Sequence, residues 1–143
     1  MLTVILDTNV LVAGLRSQFG ASYYLLQKLG DDIFQIALSV PLVLQYESVL
    51  KRVASELHLA LGEIDDFIDY VCDIGKPAEI YYLWRPILTD PNDDMVLELA
   101  VKSQASIIVT HNVRDFSGSD RFGIEVMTPK EFLIYIRHRY GSY

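Results

Sequence analysis

The sequence predicts an α/β fold, a central parallel β-sheet flanked by helices on both faces. Two observations predict it. Short apolar runs rich in β-branched residues recur along the chain without polar alternation, as strands buried on both faces do. Between them lie helical periodicities bounded by capping residues, and strands alternating with helices imply parallel βαβ units. The 143 residues are 51% hydrophobic with a mean hydropathy of +0.24, so one domain with a real core is expected over residues 1–143.

Thr3 to Leu6 is the first strand, and a helical segment follows from Val10 to about Leu15. Ala21 to Leu29 is a second helix, with Ala21, Leu25, Leu26 and Leu29 on one face and Gly30 as its stop. Ile33 to Leu38 reads as the second strand. Pro41 suits the first turn of a helix running from Leu42 to about Leu57, whose apolar stripe is Leu42, Tyr46, Val49, Leu50 and Val53. Glu63 to Ile74 is amphipathic, with Ile64, Phe67, Ile68 and Val71 inward and Gly75 ending it. Ala78 to Tyr82 is a candidate short strand. Asp90-Pro91-Asn92-Asp93 opens a helix with a cap, a proline and an acid, and that helix extends to about Ser103. Ser106 to Val109 and Ile124 to Met127 are the last strands. Thr128-Pro129-Lys130-Glu131 is a capping box opening the terminal helix.

Composition excludes several roles. The longest apolar candidate, Ile36 to Leu44, is too short to span a bilayer and carries Pro41, so no membrane association is expected. No basic leader precedes an apolar stretch, and the single Cys72 cannot form an internal disulfide, so a reducing cytoplasm is the expected compartment. Cys72 is expected to face the core or to be neutral. A net charge of −7 argues against nonspecific nucleic-acid binding through a basic surface. It leaves room for nucleic acid where clustered acids bind divalent cations.

Acids gather at strand ends and helix starts. Asp7 directly follows the first strand, where parallel sheets bind ligands. Asp90, Asp93 and Asp94 open the helix before the Ser106 strand. Asp115 lies in the loop after it, with Thr110 and Asn112. Each has an ordinary alternative, and Asp90 is well explained as a helix cap. Asp93 lies at the centre of its helix's apolar face and Asp94 at the edge, and periodicity does not choose between them. Crowded carboxylates repel and are costly to desolvate, and cations offset both terms. Oxygen donors without a His/Cys pattern select Mg²⁺ or Mn²⁺ over zinc, since His58, His111 and His138 are scattered. No G-x-S-x-G elbow, Walker loop or G-x-G-x-x-G is present. A receiver domain would want adjacent acids after the first strand, which Asp7-Thr8 does not supply.

The segments Val4 to Leu11, Ser39-Val40-Pro41-Leu42, Val49-Leu50-Lys51-Arg52, Asp90 to Asp94, Ile108 to Phe116 and Thr128 to Phe132, in this order, resemble a PIN domain, the small nuclease fold of type II toxin–antitoxin toxins. The resemblance spans nearly the whole chain. It implies a Mg²⁺- or Mn²⁺-dependent ribonuclease with Asp7, Asp94 and Asp115 as metal ligands, and with Thr110 and Asn112 orienting water beside them. It also implies a small antitoxin as partner and RNA as substrate. The family's second acid falls at position 45, where this chain has Gln45. Glu47 is about 200° round a helix from that position. Three outcomes stay open: weaker metal binding, Glu47 reaching in through a shifted helix, or impaired activity. Asp93 is a further candidate ligand. Arg16, Lys51, Arg52 and Arg114 are candidate RNA contacts. The aromatic and apolar content allows a homodimer face, which the Tyr135 to Tyr143 stretch could join. The competing reading is a PIN fold that binds RNA or a partner without efficient cleavage.

Overall fold

The computed structural model describes residues 1–78 and 91–141, with the side chains of Pro91 and Asn92 left aside. Five parallel strands form one sheet: β1 (Leu2–Leu6), β2 (Phe34–Leu38), β3 (Lys76–Pro77), β4 (Ile107–Val109) and β5 (Glu125–Met127), in the order β3-β2-β1-β4-β5. The flanking helices are α1 (Thr8–Arg16), α2 (Ala21–Gln27), α3 (Val40–Arg52), α4 (Leu61–Ile74), α5 (Pro91–Lys102) and α6 (Pro129–Tyr140). Two 3₁₀ turns, Val113–Phe116 and Ser119–Phe122, link β4 to β5.

β1 is central because it is apolar on both faces: Val4, Ile5 and Leu6 are fully buried. From β1 the chain builds outward through β2 and β3 on one side, then returns to place β4 and β5 on the other. The winding therefore reverses between β1 and β4. In open α/β sheets a crevice forms at this switch point, beyond the carboxyl ends of the two strands. Here those ends are Leu6 and Val109, which pair in register. Asp7 N–H extends the ladder to the Val109 carbonyl at 2.9 Å, so the first residue past β1 is still held by the sheet.

Several boundaries differ from expectation. The third helix ends at Arg52 rather than near Leu57, and the chain continues in turns to His58, which adopts a left-handed conformation. Ala54 and Leu57 are nevertheless buried, so the apolar spacing persists after the α-helix has stopped. The short strand expected at Ala78 to Tyr82 lies earlier, at Lys76–Pro77, with Ala78 N–H bonded to the Leu38 carbonyl. Residues 79–82 lie outside the described part, as does Asp90. Cys72 is exposed, not core-facing. The inward stripe of α4 is Ile64, Ile68 and Val71, and one further residue turns the side chain about 100° away. Among the described residues no helix is long and apolar enough to cross a membrane.

Candidate functional site

Asp7 ends β1 and caps α1. Its carboxylate Oδ1 accepts from Thr8 N–H at 2.9 Å. Oδ2 accepts from the Thr110 hydroxyl at 2.8 Å and from Asn9 Nδ2 at 3.2 Å. A carboxylate has about four acceptor positions, so roughly one remains open. Thr110, fully buried just beyond β4, uses its whole hydroxyl: it donates to Asp7 and accepts from Asn9 Nδ2 at 3.2 Å and Asn112 N–H at 3.0 Å. Asn9 completes the bridge by accepting His111 N–H at 3.1 Å. The two strand ends at the switch point are thus laced by side chains.

Burial is the main force holding the Asp7 carboxyl above its ordinary value; the hydrogen bonds from Thr110 and Thr8 oppose it, and the charge of Asp115 raises it further. Asp115 sits exposed in the first 3₁₀ turn, whose backbone starts from Asn112. These two acids therefore share one field.

α3 closes the same edge. Gln45 Oε1 accepts the Thr8 hydroxyl at 3.1 Å, one residue from Asp7. The next residue, Tyr46, is fully buried and donates its hydroxyl to the Leu6 carbonyl at 2.5 Å. Glu47 points elsewhere: it approaches Lys51 at 3.9 Å, and Lys51 also binds Asp65 of α4 at 2.9 Å. Position 45, not 47, faces the Asp7 edge.

Asp93 and Asp94 are half-buried in the first turn of α5. That helix packs against β1, α3 and the Val113–Phe116 turn, the elements carrying or leading into Asp7, Gln45 and Asp115. Glu98, one turn beyond Asp94, is a buried acid that the sequence reading passed over. Its signal was its place inside the apolar run Val96-Leu97-Glu98-Leu99-Ala100.

Among the described residues no three His, Cys, Asp or Glu side chains form a group that could hold a metal ion. The donor chemistry at Asp7 nevertheless suits a hard cation: an oxygen-only set, an open acceptor position, and a carboxyl raised by burial and by a second acid. Of the expected RNA contacts, Arg16 is paired with Glu56 at 3.2 Å and Lys51 with Asp65. Arg52 and Arg114 are exposed and, among the described residues, pair with no acid.

A family model described as "PIN domain" matches residues 3–114. The chain belongs to the PIN-domain family. The matched stretch takes in Asp7, Gln45, Asp93, Asp94, Thr110 and Asn112, and Asp115 lies one residue past it. PIN domains are generally nucleases, and those nucleases typically use divalent metals. The fold is also similar to a chain in the crystal structure of VapBC2 from Rickettsia felis bound to a DNA fragment from their promoter. The TM-score is 0.59 at 15% identity, covering 87% of this chain and 97% of that one. No curated protein matches the sequence.

Proposed function

We propose that this PIN domain, taken as one unit over residues 1–143, is a Mg²⁺- or Mn²⁺-dependent ribonuclease and the toxin of a toxin–antitoxin pair. The observation that carries the reading is the buried Asp7 carboxylate at the switch point, raised by burial and by Asp115 while anchored by Thr110 and Thr8.

Asp7, Asp94 and Asp115 are the proposed ligands, with Asp93 as the neighbour of second choice and Gln45 offering an uncharged oxygen. A divalent ion bound there supplies charge neutralisation for a phosphate and a more acidic water. The protein's own part is positional. Thr110 and Asn9 fix the Asp7 carboxylate, and Asn112 stands next to Thr110 to orient water. Arg52 and Arg114 are the proposed contacts to RNA phosphates. Glu47, engaged with Lys51, is the weakest candidate ligand.

A small antitoxin is the proposed partner, in keeping with the toxin–antitoxin origin printed for the Rickettsia felis complex. An Arg or Lys entering the acidic edge would form charge-assisted hydrogen bonds. A homodimer in the cytoplasm is the proposed state.

A second reading has one specific observation behind it. Gln45 stands where the family acid is expected and brings no charge, which favours a module that binds RNA without efficient cleavage. Incubating the purified protein with labelled single-stranded RNA, with Mn²⁺ or with EDTA, separates the two. Cleavage that needs Mn²⁺ supports the nuclease, and retention of intact RNA supports the binder.

A further inference from the structure

His111 is an exposed residue directly after Thr110, at the carboxyl edge of β4. Its backbone N–H is tied to Asn9, which also bonds the Asp7 carboxylate. Its ring is fixed as well: Nε2 lies 2.8 Å from the hydroxyl of Ser22, a residue only 2% exposed on the first turn of α2. An exposed surface histidine needs no such clamp. Holding the ring costs side-chain entropy, and the clamp uses one ring nitrogen only. Among the described residues Nδ1 has no protein partner.

The surroundings define what Nδ1 would meet. Of the basic residues proposed for RNA, Arg16 and Lys51 are paired with acids, which leaves Arg52 and Arg114 among the described residues. A phosphate arriving at this edge needs N–H donors that are already aimed. In the tautomer whose Nε2 accepts from the Ser22 hydroxyl, Nδ1 carries the proton and presents an N–H donor.

We propose that His111, clamped by Ser22, is a substrate-contact residue that donates from Nδ1 to a phosphate oxygen of the nucleic-acid strand beside the Asp7 site. This rests on the nuclease reading for the strand it would hold. Ser22 is a positioning residue that acts only through His111.

The test combines cleavage kinetics and direct binding on one fluorescently labelled single-stranded RNA. His111→Ala should raise KM and weaken binding by about tenfold, as loss of a hydrogen bond to a charged group does, with kcat within about threefold. A rise in KM at constant kcat marks lost binding rather than lost chemistry. Mn²⁺ half-saturation should stay unchanged, which damage to the Asp7 cluster would not allow. Ser22→Ala should shift KM the same way but less. The double variant should match His111→Ala, because Ser22 has nothing left to position. His111→Asn, which keeps a donor near the Nδ1 position, should recover part of the binding.

An unchanged KM and affinity in His111→Ala, or an additive loss in the double variant, would overturn the proposal. If the wild type binds the RNA without cutting it, the nuclease reading fails while the binding comparison still decides His111. A wild type that neither binds nor cuts overturns both.

Discussion

The Thr8 hydroxyl donates to Gln45 Oε1 across 3.1 Å, joining the first turn of α1 to α3 beside the Asp7 carboxylate. The contact decides how a family acid would behave at this position. A glutamate could accept the same hydrogen bond, so its second oxygen would add charge to the site without disturbing packing.

Gln45→Glu is therefore expected to tighten Mn²⁺ binding and to raise cleavage at limiting metal, with the gain shrinking at saturation. The metal-free protein should lose roughly 1 kcal/mol, since another carboxylate joins a crowded, partly buried edge. Cleavage across a Mn²⁺ titration and thermal melts with and without metal check both halves. Equal metal affinity in variant and wild type would mean that position 45 does not reach the ion.

Glu47→Gln should leave cleavage nearly unchanged, because Glu47 sits with Lys51 on a different side of α3. Its exposed pair with Lys51 contributes little to stability. Loss of activity in this variant, measured on the same RNA, would place the second acid at 47 instead.

Asp7→Asn should abolish cleavage, and the metal-free wild type should lose stability relative to it as pH rises. The Asp7 carboxyl titrates higher in the folded chain than its ordinary 3.8 because burial disfavours its charge. Its favourable contribution is thus fully present below 3.8 and is lost as pH rises through the folded value. Asparagine removes that pH dependence and still caps α1 through its side-chain oxygen, while its amide faces the Thr110 and Asn9 donors at a cost that does not vary with pH. Melts from pH 3 to pH 8 (about the window that matters) should show the wild type losing stability relative to the variant as pH rises. Parallel curves would contradict the burial account.

Thr110→Val should cost about 1–3 kcal/mol, because the buried Asp7 carboxylate loses a donor and the Asn9 and Asn112 donors lose an acceptor. Cleavage should fall with it, and Thr110→Ser should restore most of both. Denaturant unfolding and initial rates would show this. A valine variant as stable as the serine variant would mean that the hydroxyl bridge contributes nothing.

Much of the sheet was legible because β1, β2 and β4 are short apolar runs, and because Pro41 and the Thr128 capping box mark helix starts. Asp7 and Thr110 were likewise visible, since each follows a strand end, whereas Gln45, inside α3, was singled out by the family resemblance. What stayed hidden depends on contacts between distant segments. Ser22 and His111 are 89 residues apart, and Asn9 and Thr110 are 101 apart. Nothing local to Ser22 distinguishes it from any serine in the first turn of a helix. Glu98 was missed for the opposite reason: its neighbours read as an uninterrupted apolar face. Periodicity also could not end α3 at Arg52, because Ala54 and Leu57 stay buried after the helix has stopped.

On α5, Asp94→Asn is expected to remove Mn²⁺-dependent cleavage while the protein remains folded, and Asp93→Asn to matter less. Circular dichroism and initial rates on the two variants would decide the ligand. Activity lost only in Asp93→Asn would move the third ligand one residue back along the helix.

Single-stranded RNA cleavage by wild type and Asp7→Asn, measured side by side with Mn²⁺ and with EDTA, tests the Asp7 metal site most directly. The expected result is cleavage by the wild type in Mn²⁺ alone, and none by Asp7→Asn in either condition. Full wild-type cleavage in EDTA, or undiminished cleavage by Asp7→Asn, would contradict a metal site at Asp7.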